Sequence, residues 1–139
     1  HPCSIILFSC NLSILQNCLF LNLSSLSHWA DFKNFLKHIP VDQYPGQALA
    51  CELFLQGGIR TSEIGSLMFG GYNKDGSAFY SSHELVRLAI PRRTYTQSHI
   101  DYVIEVFKNI YDNTHKIKGL KIIYESKTLR HFTAKLERL

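Results

Sequence analysis

The chain has 139 residues, with 15 lysines and arginines against 11 acids and a formal charge of +4. That length supports one domain with a modest core, and the apolar and charged fractions are ordinary for a soluble globular protein. No basic block is longer than Arg92–Arg93, so nucleic-acid binding is not indicated.

The chain begins at His1, and the expectation is a fragment or a processed product. Residues 1–30 contain no Lys, Arg, Asp or Glu and differ in character from everything after them. Their apolar runs, Ile5–Phe8 and Leu19–Leu23, are interrupted by Asn11, Gln16, Asn17 and Asn22. This argues against a membrane-spanning helix, and the positive flank of a signal peptide is missing. A poor membrane anchor, a buried segment and sequence foreign to the domain all remain open for this stretch. Cys3, Cys10 and Cys18 lie within it, and Cys51 stands alone. There is no C-x-x-C pair and no histidine at zinc spacing, so no metal site or redox motif is supported. Free thiols in a reducing, cytoplasmic compartment are expected.

From Asp31 the sequence becomes amphipathic. Asp31–Leu36 can form a short helix ending before Pro40. Asp42 is placed to cap a helix over Pro45–Gln56, with Pro45 in its first turn and Gly57-Gly58 as its stop. Leu49 with Leu53 and Ala50 with Phe54, spaced four apart, predict its core face. Ile59–Met68 reads as extended, although Gly65 weakens it. Gly70–Ser82 reads as a loop or hairpin around Asp75-Gly76.

Leu85–Ile90 then alternates like a strand and stops at Pro91. Arg87 shares one face with Leu85 and Ala89, while Val86, Leu88 and Ile90 take the other. A guanidinium in that company either snorkels off a strand edge or is buried and paired as an anchor for an acidic group.

Thr96 or Ser98 opens the strongest helix, with Ser98-His99-Ile100-Asp101 as a capping-box variant. Ile100, Val103, Ile104, Phe107, Ile110 and Tyr111 form its apolar stripe. His115 and Lys116 suit its C-terminal end, with Gly119 as the stop. Leu120–Glu125 and Arg130–Leu136 predict two strands, with His131, Thr133 and Lys135 on the polar side of the second. The fold class is therefore α+β, with helices packed on a small, mainly antiparallel sheet. No G-x-S-x-G, H-E-x-x-H, P-loop or dinucleotide fingerprint appears.

Longer words carry more. Q-A-L-A-C-E-L (Gln47–Leu53), G-G-I-R-T-S-E-I-G-S (Gly57–Ser66), V-R-L-A-I-P-R-R-T-Y-T (Val86–Thr96), G-L-K-I-I-Y-E (Gly119–Glu125) and L-R-H-F-T-A-K-L (Leu129–Leu136) occur in that order. Together they resemble the C-terminal part of tryptophanases (tryptophan indole-lyases), of the β-eliminating lyase family of pyridoxal-phosphate enzymes. The resemblance runs from about Asp31 to Leu139. It implies two parts, residues 1–30 without a family match and residues 31–139 as the small C-terminal domain of an aspartate-aminotransferase-type (fold type I) enzyme.

The resemblance implies further that Arg87 grips the α-carboxylate of the substrate, that Ile64 lies against the indole and that His131 tunes its binding or protonation. The related tyrosine phenol-lyases have arginine in place of Ile64 and phenylalanine in place of His131, so both positions favour tryptophanase. The implied reaction converts L-tryptophan to indole, pyruvate and ammonia. The cofactor lysine, the phosphate contacts and the monovalent-cation ligands are expected in a large domain that this chain lacks, in a homotetramer. The alternatives are a non-catalytic remnant of such an enzyme and a fragment of a tyrosine phenol-lyase.

Overall fold

A computed structural model describes residues 19–20, 27–31, 35–91, 93–126 and 129–139, with side chains described from Phe35 onward. Its architecture is α+β. Strands β1 (Leu19–Phe20), β2 (Ser27–Asp31), β3 (Ser62–Ile64) and β6 (Leu85–Ala89) form one sheet in the order β1-β2-β6-β3. Every neighbouring pair is antiparallel, and β6 is central, pairing with β2 on one side and β3 on the other. The short hairpin β4 (Gly71–Tyr72) and β5 (Ala78–Phe79) closes through the turn around Asp75, as the glycine and asparagine punctuation predicts. Strands β7 (Leu120–Tyr124) and β8 (Lys135–Arg138) make a third, two-stranded antiparallel sheet.

Helix α1 (Pro45–Gly57) matches its expected limits to within a residue. Its start does not use Asp42, which lies in a 3-10 turn, Val41–Gln43. Tyr44, in the left-handed region at φ 51°, swings the chain into the helix instead. Pro45 follows at a position where a missing N–H costs nothing. Gly58, at φ 62°, closes the other end by donating its N–H to the Leu53 and Phe54 carbonyls.

Leu49 and Leu53 are completely buried and join Ala48, Val86, Leu88, Phe107, Ile110 and Leu120 in the core. Phe54, expected on that face, is 59% exposed. The four-residue spacing was satisfied, but Phe54 sits one step round the helix from Leu53 and clears the sheet. Helix α3 (Gln97–Asp112) packs across α1, burying Val106, Phe107 and Ile110. A methyl on Gly57 would lie 2.8 Å from the Val106 side chain, so glycine permits the close crossing.

Several boundaries differ from the sequence expectation. Thr96 caps α3, and the capping box uses His99 rather than Asp101, with the Thr96 N–H donating to His99 Nδ1 at 3.2 Å. Asp101 instead accepts from the Gln97 side chain. The helix ends at Asp112 and a 3-10 turn, Thr114–Lys116, follows, so Gly119 is not its stop. Asp31 closes β2 instead of opening a helix, residues 32–34 lie outside the described residues, and a turn runs through Phe35–Ile39.

Ile59–Met68 divides at Gly65 into β3 and a single helical turn, α2 (Ser66–Phe69). Arg130–Leu136 is not one strand, since Arg130–Thr133 forms the helical turn α4 before β8. Leu129 enters it at φ 54°, Thr133 Oγ1 donates back to the Leu129 carbonyl, and Arg130 is drawn away to Tyr44 and Glu125. These bonds outweigh a period-two pattern only a few residues long. Among the described residues, no helix is long and apolar enough to cross a membrane.

Candidate functional site

Strand β6 buries Val86 and Leu88 and turns Arg87 and Ala89 outward. The alternation is as expected, but Arg87 is exposed, so the picture of a buried, paired guanidinium is corrected. Its face is the open one, where the head group keeps its hydration and needs no internal acid. Among the described residues Arg87 makes no ion pair.

The β3–β6 register sets Ser62 opposite Arg87 and Ile64 opposite Leu85. Side chains two apart share a face of a strand. Arg87 and the half-buried Ile64 therefore stand on the same face, offset diagonally by one pair.

His131 is placed differently. It lies on α4, not on a strand, and its Nδ1 is 3.6 Å from Glu63 Oε2. Glu63 pairs with Val86 and so issues from the other face of β3, away from Arg87 and Ile64. The structure thus brings two of the three predicted residues onto one sheet face and ties the third to its opposite side.

Beneath them is an acidic cluster that the sequence reading did not single out. Glu63 is 1% exposed and Glu84 is completely buried. Glu84 Oε1 accepts the Ser66 N–H at 2.9 Å, and Glu63 Oε1 accepts the Leu67 N–H at 3.2 Å. These bonds satisfy the first free donors of α2 and explain why the chain turns helical there. Ser66, also buried, accepts the Ser81 N–H on its hydroxyl. Both acids press on Gly65, where a methyl would meet Glu84 Oε2 at 2.6 Å and Glu63 Oε1 at 2.7 Å. A signal was available, since Glu63 in S-E-I poses the same question as Arg87: a charge inside a short strand.

Burial pushes the Glu63 carboxyl up to about 7, with the Glu84 charge adding to the rise and the Leu67 N–H opposing it. Burial also lowers the His131 imidazole from 6.5. Folded Glu63 therefore keeps a proton that the unfolded chain, at 4.5, releases. Its contribution to stability is complete below that lower value and is lost as pH rises toward about 7. His131 works the other way, its contribution complete above 6.5 and lost as pH falls through the lowered folded value. The Glu63 share has an upper bound of about 3 kcal/mol. Urea denaturation of the chain at about pH 5 and about pH 8 should show greater stability at the acid end, and Glu63→Gln should flatten the difference. An unchanged slope in the variant would assign it to other groups.

Every lysine among the described residues (Lys37, Lys74, Lys108, Lys116, Lys118, Lys121 and Lys135) is exposed, so none offers an enclosed amine to a carbonyl cofactor. No group of three or more His, Cys, Asp or Glu among the described residues is arranged to hold a metal ion. A polar groove lies between α1, α3 and β8, lined by Glu52, Gln56, Asn109, Asn113, Lys116 and Arg138. None of the predicted site residues lines it.

No family model matches the chain. Over 109 residues, 78% of its length, it is 53% identical to the C-terminal part of the tryptophanase of Escherichia coli O157:H7. The same identity and span hold for the tryptophanases of Escherichia coli O9:H4 (strain HS) and Shigella boydii serotype 18. The matched segment is 23% of each of those proteins, so the chain spans about a quarter of the length of the curated relatives it matches.

Proposed function

We propose that this chain, similar to the C-terminal part of tryptophanases, is the small domain of a pyridoxal-phosphate lyase of fold type I that cleaves L-tryptophan to indole, pyruvate and ammonia. The domain is residues 31–139, with residues 1–30 outside the family pattern. The observation that carries the reading is the shared face of Arg87 and Ile64 on β3–β6. It sets a permanently charged, planar donor beside an apolar side chain, which suits an amino acid with a carboxylate at one end and an indole at the other.

In this reading Arg87 binds the α-carboxylate through its two-pronged donor edge. Ile64 contacts the indole and gives a phenolic oxygen no hydrogen bond, which disfavours a tyrosine substrate. Fixing the carboxylate and the ring together restricts rotation about the Cα bonds, and that orientation accelerates the reaction. His131 is assigned a supporting role at the indole, in binding or in holding a proton near the ring.

Pyridoxal phosphate, when bound in the full-length enzyme, supplies the electron sink for breaking the Cα–H bond. The exposed lysines among the described residues do not fit as its covalent anchor, and the reading assigns the cofactor contacts and the monovalent-cation site to the large domain of the full-length enzyme. Tetrameric assembly and a cytoplasmic location complete the proposal.

The test is a chimera in which this chain's matching segment replaces the corresponding segment of the Escherichia coli enzyme. Indole release from tryptophan is expected. A folded chimera that takes up pyridoxal phosphate yet releases no indole would overturn the assignment. The chain alone, mixed with pyridoxal phosphate and tryptophan, should release none.

A further inference from the structure

Glu63 and Glu84 have no place in the substrate contacts proposed above, yet with Ser66 they are the buried polar side chains among the described residues, and Glu63 lies against His131. Glu63 Oε2, Glu84 Oε2 and His131 Nδ1 are all shielded from water and have no hydrogen-bond partner. Such atoms are rare in folded chains because each forfeits its hydration. Two of them, Glu63 Oε2 and His131 Nδ1, face each other at 3.6 Å. That is a few tenths of an ångström beyond hydrogen-bond reach, a gap that a small side-chain rotation closes.

We infer that Glu63 is a positioning residue: it carries a proton on Oε2, donates it to His131 Nδ1, and so holds the imidazole as the tautomer whose own proton is on Nε2. The positioning stands on the geometry alone, and its consequence for tryptophan cleavage rests on the function proposed above.

The surroundings favour the neutral acid over an ion pair. Glu84 is completely buried beside it, and two carboxylates pressed on one glycine cannot both be charged cheaply. Glu63 has already committed Oε1 to the Leu67 N–H, which leaves Oε2 as the atom free to carry the proton. Burial raises the carboxyl and lowers the imidazole, so both shifts favour the neutral pair.

Among the described residues, no nearby cation competes. Arg130, next to His131, is bound to Tyr44 and Glu125. Arg87 is on the far face of the sheet, and on α1 Glu52 is paired with Arg138. Among the described residues, Glu84 and His131 are therefore the titratable groups that face Glu63 from the elements packed on it.

A ring held this way presents one defined donor, Nε2–H. A histidine without a partner at Nδ1 exchanges between tautomers and offers a donor at Nε2 only part of the time. Histidine is thereby given a fixed hydrogen-bonding polarity by an acid that never touches the substrate.

The experiment is nitrogen-15 NMR of the imidazole rings in the full chain at about pH 6, where the neutral pair is expected. His131 should show the pattern of an Nε2–H ring with an unprotonated Nδ1. Glu63→Gln, whose amide can still donate to Nδ1, should preserve that pattern, and Glu63→Leu should collapse it toward averaged tautomers. A wild-type His131 with its proton on Nδ1, or an unchanged pattern in Glu63→Leu, would overturn the inference. If the leucine variant fails to fold, the wild-type spectrum still tests the inference, since a proton on Nδ1 overturns it.

In the chimera, Glu63→Gln should leave KM for tryptophan within about twofold and displace the pH profile of kcat. An unmoved profile would deny the residue its effect on the reaction. If the chimera is inactive while the NMR pattern holds, the tryptophanase reading fails and the positioning of His131 stands.

Discussion

Replacing Arg87 with alanine in the active chimera should lower kcat/KM for tryptophan by 10²-fold or more. Losing one partner of a desolvated charge pair costs about 2–5 kcal/mol, and each 1.4 kcal/mol or so is tenfold. The same substitution should leave the melting temperature nearly unchanged, because Arg87 is exposed and exposed positions usually move stability by less than about 0.5 kcal/mol. Arg87→Lys should recover only part of the activity, since a point charge cannot match a carboxylate in two places. Steady-state kinetics of the three proteins, with thermal melts alongside, make the test. Turnover by Arg87→Ala within a few-fold of the parent would refute the carboxylate anchor.

Leu53→Ala should cost the chain about 3 kcal/mol of folding stability, within the 2–5 kcal/mol range of buried leucine truncations. Leu53 is completely buried at the meeting of α1 with the sheet, and the loss comes from the missing methyl groups and the cavity left behind. Its neighbour Phe54 carries a larger apolar side chain, yet Phe54→Ala should cost under about 0.5 kcal/mol because the ring is mostly in solvent. Urea denaturation of both variants reads the contrast directly. Equal losses would mean that the packing face of α1 has been drawn wrongly.

That contrast shows where the sequence was legible. Helices α1 and α3 repeat apolar residues over three turns or more, long enough for the period to be read and for Pro45 and Gly58 to mark the ends. Strand β6 announces itself by alternation and by Pro91. The short elements were not legible, because their causes are distant. Helix α2 begins where Glu84, eighteen residues further on, accepts the Ser66 N–H. Helix α4 forms where Arg130 reaches Tyr44, 86 residues earlier.

The site divides in the same way. Arg87 drew notice as a charge in an apolar run and His131 as a histidine on the polar side of an expected strand, whereas Ile64 entered only through the resemblance to tryptophanases. That Arg87 and Ile64 share a face depends on the β3–β6 register, which no local pattern encodes. Glu84 looks ordinary in its own segment, and Glu63 shows there only as a charge inside a short strand. That the two form a buried pair emerges only when the fold sets both against Gly65.

The central place of β6 also bears on how quickly the chain can fold. Its partner β2 lies far back in the sequence, with the whole of α1, β3 and the β4–β5 hairpin between them. The hairpin needs only a short loop to close, whereas β2 and β6 must find each other across the 54 positions from Asp31 to Leu85 before their bonds repay the lost chain freedom. The hairpin and helical turns are therefore expected to form early and the sheet late, with the strand bearing Arg87 gaining its second neighbour among the last events of folding.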